Sequence, residues 1–133
     1  SSTIEFSAES SLLGAGIEFV IDGGGGAIST GQKGYIELPF SGTITQSAML
    51  ADQVGSIVVD VWLDSYSNYP PTVADTITAS AKPTLTSAIK SVDTTLTGWT
   101  TSLTQGYILG WNVDSTDGII TRLTHSLRVS RIQ

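Results

Sequence analysis

The chain has 133 residues, 40% of them hydrophobic and only 14% charged, with a net charge of −6 and a pI near 4.4. That length fits one domain with a single sizeable core, and the absence of any basic run argues against a nucleic-acid phosphate partner. No apolar run approaches the ~20 residues of a membrane span, and without cysteine there is neither a disulfide nor a thiolate metal site.

Residues 1–16 mix Ser, Glu and small apolar residues, with Ile4 and Phe6 alternating briefly. They read as an N-terminal arm that leads into one domain at 17–133. No basic start precedes an apolar stretch there, so no signal peptide is visible. A chain that opens on Ser1 reads as processed or cut from something longer.

The segment 17–22 alternates Ile17, Phe19 and Ile21 against Glu18, Val20 and Asp22, which predicts a strand; the four glycines at 23–26 end it. A second strand is expected over 33–40, where Gly34, Ile36 and Leu38 oppose Tyr35 and Glu37, with Pro39 at its end. Ser41 and Gly42 turn into 43–51, where Ile44, Ala48 and Leu50 share a face. Residues 52–55 then turn into 56–64.

That stretch carries the strongest strand signal. Ile57, Val59, Val61 and Leu63 alternate with Val58, Asp60, Trp62 and Asp64, and β-branched residues dominate. The first set predicts the core face. Trp62 and Asp60 on the second set predict a covered or recruited surface. Ser65, Asn68, Pro70 and Pro71 then take the chain off the sheet as a loop.

Over 73–81 the sequence suits a single helical turn or an irregular crossing, stopped at Lys82-Pro83. Ile89 and Val92 are out of phase, so a bulge is expected within 87–96. A strand at 106–113 places Tyr107, Leu109, Trp111 and Val113 on one face. Residues 114–118 turn, and 119–132 places Leu123, His125, Leu127 and Val129 on one face against Arg122, Thr124, Ser126 and Arg128. About eight strands joined by Gly-rich turns predict an all-β antiparallel β-sandwich, jelly-roll-like in form.

Few residues carry chemistry. Gly26 and Gly31 have phosphate-loop spacing, but Gln32 stands where that loop needs lysine, so a hairpin loop is the better reading. Asp114 and Asp117 lack the remaining ligands of a calcium loop, so no metal is expected. Asp60 and Asp64 lie ~13 Å apart along an extended strand, too far for a glycosidase pair. His125 is the only histidine, on an apolar face, and no G-x-S-x-G elbow accompanies it; a hydrogen-bonded core or interface residue fits better than a catalytic base. No enzyme and no cofactor are expected. Trp62, Tyr66, Asn68 and Tyr69 are the candidate ligand-binding residues: aromatic faces match sugar C–H surfaces, and an amide binds hydroxyls. The competing reading is that these rings pack the loop and the sandwich ends.

The segments 17–26, 33–40, 56–64, 70–78, 82–84, 91–100 and 106–132 together resemble the C-terminal β-sandwich domain of tailed-bacteriophage structural proteins, those of tails, fibres or head decoration. The resemblance covers most of 17–132 and carries no catalytic residues. It implies a virion protein on an extracellular particle surface, assembled with itself, commonly as a homotrimer, and with other virion proteins. If such an assembly presents Tyr66, Asn68 and Tyr69 outward, that loop is the expected contact with a host cell-surface glycan, and host attachment the expected role. A carbohydrate-binding module is the alternative function.

Overall fold

The computed structural model describes residues 12–132, and these are all-β. Seven strands form, all paired antiparallel: β1 (Leu12–Asp22), β2 (Gly31–Glu37), β3 (Gly42–Asp64), β4 (Thr84–Asp93), β5 (Ser102–Leu103), β6 (Ile108–Thr116) and β7 (Arg122–Ile132). Of the expected arm, residues 1–11 lie outside the described residues, and 12–16 belong to β1.

The count is seven because the two strands expected at 43–51 and 56–64 are one. Residues 52–55 do not turn. They bulge, and β3 continues through them. The Asp52 carboxylate holds the bulge by accepting hydrogen bonds from the Thr121 hydroxyl and from the backbone N–H groups of Thr121 and Arg122. A bulge bends a strand without ending it.

This bend builds the fold. The strand order is β1-β7-β3-β6-β2, with β4 and β5 also on β3. The first half of β3 pairs with β7 from Thr43 to Ala51, and the second half pairs with β6 from Ile57 to Asp64. The two flanks of one sheet therefore fold towards each other as a sandwich. Phe19 of β1 stacks on Trp111 of β6 across the gap, ring centroids 4.3 Å apart and 3° from parallel. Gly34 of β2 makes room for this pair, since a side chain there would meet the Phe19 ring at 2.7 Å.

The core follows the predicted alternation in most places. Ile57, Val59 and Val61 are buried, as are Leu109, Trp111, Val113, Leu123, Leu127 and Val129. β-branched and aromatic side chains on a pleated inner face explain these strands. One face is different from expectation. Ile44 is buried, but Leu50 is 57% exposed, and Ser47 and Met49 take the inner positions. The register shift between Ile44 and Gln46 adds one residue to β3, and one residue exchanges the two faces.

Candidate ligand-recognition surface

Cross-strand partners project from the same face of a sheet. On the outer face of β2, β6 and β3, the register aligns Tyr35, Gly110 and Trp62 in one row. The adjacent row is Gln32, Asn112 and Asp60. An aromatic row thus runs beside a row of amides and a carboxylate. Gly110 is required here: a side chain on it would meet the Tyr35 ring at 2.9 Å. Tyr35 therefore lies across β6, over the glycine.

Asp60 is fully buried although it sits on the outer face. Its carboxylate accepts from the hydroxyls of Thr76 (2.6 Å) and Thr78 (2.7 Å), the Trp62 indole N–H (3.0 Å) and the Val61 N–H (2.8 Å). The ammonium of Lys82 lies 3.9 Å away, and it also pairs with Asp114. The Asp114 hydrogen bond raises the pKa of Lys82 above its ordinary value. Four donors and a nearby cation are what a buried carboxylate needs. The network ties 76–82 to β3 and fixes where the preceding loop leaves the sheet.

The loop itself is ordered by its own polar groups. Asp64 accepts from the Ser65 N–H (2.7 Å) and the Asn68 amide (3.2 Å), and the Asn68 bond is the main cause of its lowered pKa. Residues Tyr66–Asn68 form a 3-10 turn capped by the Ser65 hydroxyl. A second such turn, Val73–Asp75, is the helical turn the sequence suggested. The loop returns Tyr69 to the sheet, where its ring meets Tyr35 at 5.0 Å and 73°.

The four predicted residues are thus placed differently. Trp62 is half-buried, with its N–H committed to Asp60. Asn68 commits an N–H to Asp64. Tyr66 and Tyr69 are 71% and 52% exposed, and Tyr69 is brought against the outer-face row. The residue missed in the sequence is Tyr35. A glycine inside the strand pattern, Gly110, was its signal, because such a glycine marks a close approach.

His125 has no open side. It is fully buried, with Ser47 Oγ 2.8 Å from Nε2 and the Trp111 indole N–H donating to Nδ1 at 2.9 Å. Because Nδ1 accepts, the neutral ring carries its proton on Nε2 and donates it to Ser47. This is the reverse of a catalytic serine–histidine pair, in which Nε2 takes the serine proton. Burial lowers the pKa of His125 to about 4. Asp117 accepts from the Ser56 and Ile119 N–H groups, and Asp114 binds Lys82 and the Asn112 amide, so both serve local contacts.

No family model matches the chain, and no curated protein matches it. Among solved structures, it is similar to a chain of the infectious bursal disease virus Gx strain, with 15% identity over 90% of this chain and 32% of that one and a TM-score of 0.38. A chain of the serine protease–chaperone complex of Aeromonas sobria gives 10% identity over 98% and 29%, with a TM-score of 0.37. The capsid of Ralstonia phage GP4 gives 9% identity over 90% and 83%, with a TM-score of 0.44. The chain spans about a third of the first two. At TM-scores below 0.5, none of these likenesses assigns it a family or an activity.

Proposed function

We propose that the chain is a structural module of a bacteriophage virion, a closed homo-oligomer, and specifically a trimer, on the surface of a fibre, tail or capsid. The virion setting is what the sequence resemblance implies. Self-assembly is supported by one observation, the outer face of β1, β7, β3 and β4. Its rows are Val20, Thr124, Leu50, Lys90 and Glu18, Ser126, Ala48, Val92. Val20, Leu50 and Val92 are 55%, 57% and 64% exposed. Small and apolar residues fill the middle, while Glu18 and Lys90 stand on opposite margins. Copies arranged in a ring bring unlike margins together, and closure leaves no apolar face in water.

Light scattering on the purified chain should give three times the 13.9 kDa chain mass. A Leu50→Lys, Val92→Lys variant should give a monomer with unchanged circular dichroism. A wild-type monomer at micromolar concentration refutes the assembly. Mass spectrometry of purified particles, with antibody labelling in microscopy, tests the virion setting.

Host attachment through the exposed loop belongs to this reading, and a carbohydrate-binding module is the second one. Both are favoured by the exposure of Tyr66 and Tyr69. A Tyr66→Ala, Tyr69→Ala variant should stay trimeric and lose adsorption to host cells. Retained adsorption removes the loop from recognition.

A further inference from the structure

The geometry points to a saccharide-binding corner on the outer face of β2 and β6, built from the rings of Tyr35 and Tyr69 with the amides of Gln32 and Asn112 beside them, and taking an uncharged pyranose. It rests on the recognition part of the reading above and is independent of the trimer. It also moves the site from the tip of the loop to the sheet.

Tyr35 lies over Gly110, a strand residue with no side chain to lift the ring away, and remains half-exposed. Tyr69 stands at 73° to it, so the two rings form a corner rather than a closed stack. A pyranose has one face of C–H groups and a rim of hydroxyls. The C–H face matches an aromatic surface, and the rim needs donors and acceptors within one residue spacing of that surface.

The neighbouring row supplies them. Gln32 spends one N–H on the Gly34 carbonyl (2.8 Å), and Asn112 spends one on Asp114 (2.7 Å). Each amide keeps a carbonyl oxygen and a second N–H for a ligand. Both side chains are only partly covered. These partners are held in place on strands, so little ordering cost falls on binding.

Charge selects among sugars. The chain carries −6 overall, and Glu37 and Asp64 stand in the next row of the same face, on either side of Ile108, while Lys82 is already paired to Asp114. A carboxylated or sulfated sugar meets repulsion there. A neutral hexose or N-acetylhexosamine does not.

The test uses the full chain, ¹⁵N-labelled, titrated with neutral disaccharides that end in glucose, galactose, mannose, N-acetylglucosamine, N-acetylgalactosamine or rhamnose. Titration runs to about 10 mM, where a site with a Kd near 1 mM is close to saturation. At least one sugar should shift the amide signals of 32–36 and 110–112 together with the side-chain amides of Gln32 and Asn112. Tyr35→Ala should weaken that binding at least about tenfold, Tyr35→Phe should retain it, and Asn112→Ala should weaken it with the fold intact. A sialylated disaccharide should bind more weakly than its neutral parent.

No shift with any neutral sugar overturns the inference, as do shifts confined to 65–68 or binding unchanged in both Tyr35→Ala and Asn112→Ala. If Tyr35→Ala does not fold, Asn112→Ala alone decides. A trimer that binds no sugar removes this site and leaves the assembly standing; a monomer that binds sugar does the opposite.

Discussion

The buried imidazole of His125 ties stability to pH in a window of its own. Its cross-strand neighbours are Phe19 and Met49, both apolar, and its ring meets Trp111 edge-on. No carboxylate stands among these partners to repay a positive charge. Protonation would also point Nδ1–H at the Trp111 N–H, setting donor against donor. The folded-state pKa is about 4, against 6.5 for the free side chain. The unfolded chain therefore binds the proton first. Stability is fully present above pH 6.5, is lost as the pH falls from 6.5 to about 4, and levels off below. One pKa unit corresponds to 1.36 kcal/mol, so the whole window is worth about 3 kcal/mol, and about 2 kcal/mol is lost between pH 7 and 4.5. Asp52 and Asp64 act lower: their pKa values are depressed from 3.8, so their contributions fall away only beneath the histidine window. Urea unfolding followed by circular dichroism at pH 7, 5.5 and 4.5 measures the loss. His125→Gln, which keeps an acceptor for Trp111, should be less stable at pH 7 yet lose nothing over this range. Equal wild-type stability at pH 7 and 4.5, or the same decline in the variant, would refute the reasoning.

Two further outcomes follow from burial. Val59→Asp or Val61→Asp should abolish soluble protein, because a charge is then buried without a partner, whereas Val58→Asp, on the partly wet face, should be tolerated; equal yields of all three contradict the assignment of faces. Asp60→Ala leaves the Thr76 and Thr78 hydroxyls and the Trp62 N–H without their acceptor, and urea unfolding should show a loss of about 3 kcal/mol or more. A change within experimental error would mean that the network does not hold 76–82 on the sheet.

What the sequence made legible was local. The faces of 57–61 and 123–129 could be read because β-branched and apolar residues repeat every second position there without interruption. The apolar face of His125 correctly marked a core residue. Residues 65–71 announced a loop through Ser, Asn and Pro. What stayed hidden depended on partners far along the chain. Asp52 and Gly55 suit a turn and a bulge equally well, and only Thr121, nearly 70 positions on, decides for the bulge. The single inserted residue near Thr45 reversed Leu50 and Met49 without leaving any mark on composition. Trp62 and Asp60 announced a covered or recruited surface, but not what covers it, because the donors to Asp60, Thr76 and Thr78, arrive on a later crossing. Tyr35 could be joined to Tyr69 only once β6 had placed Gly110 beside Tyr35 in one row.

The long strand β3 has a consequence for how the molecule comes apart. Its first half is the spine of one layer and its second half the spine of the other, and β4 is laid along both. Neither layer owns a complete set of strands. Peeling β1 and β7 away strips the first half of β3 and uncovers the ring of Trp111, and removing β2 and β6 strips the second half and uncovers the ring of Phe19. Half a domain is therefore not a resting state. The chain must cross one shared barrier, with most pairings joining residues distant in sequence, which places folding among the slower, cooperative β topologies on the millisecond-to-second scale. Once formed, the same interlock makes separating one layer of strands as costly as unfolding both, so proteases would reach the strands paired to β3 only in molecules that have unfolded throughout.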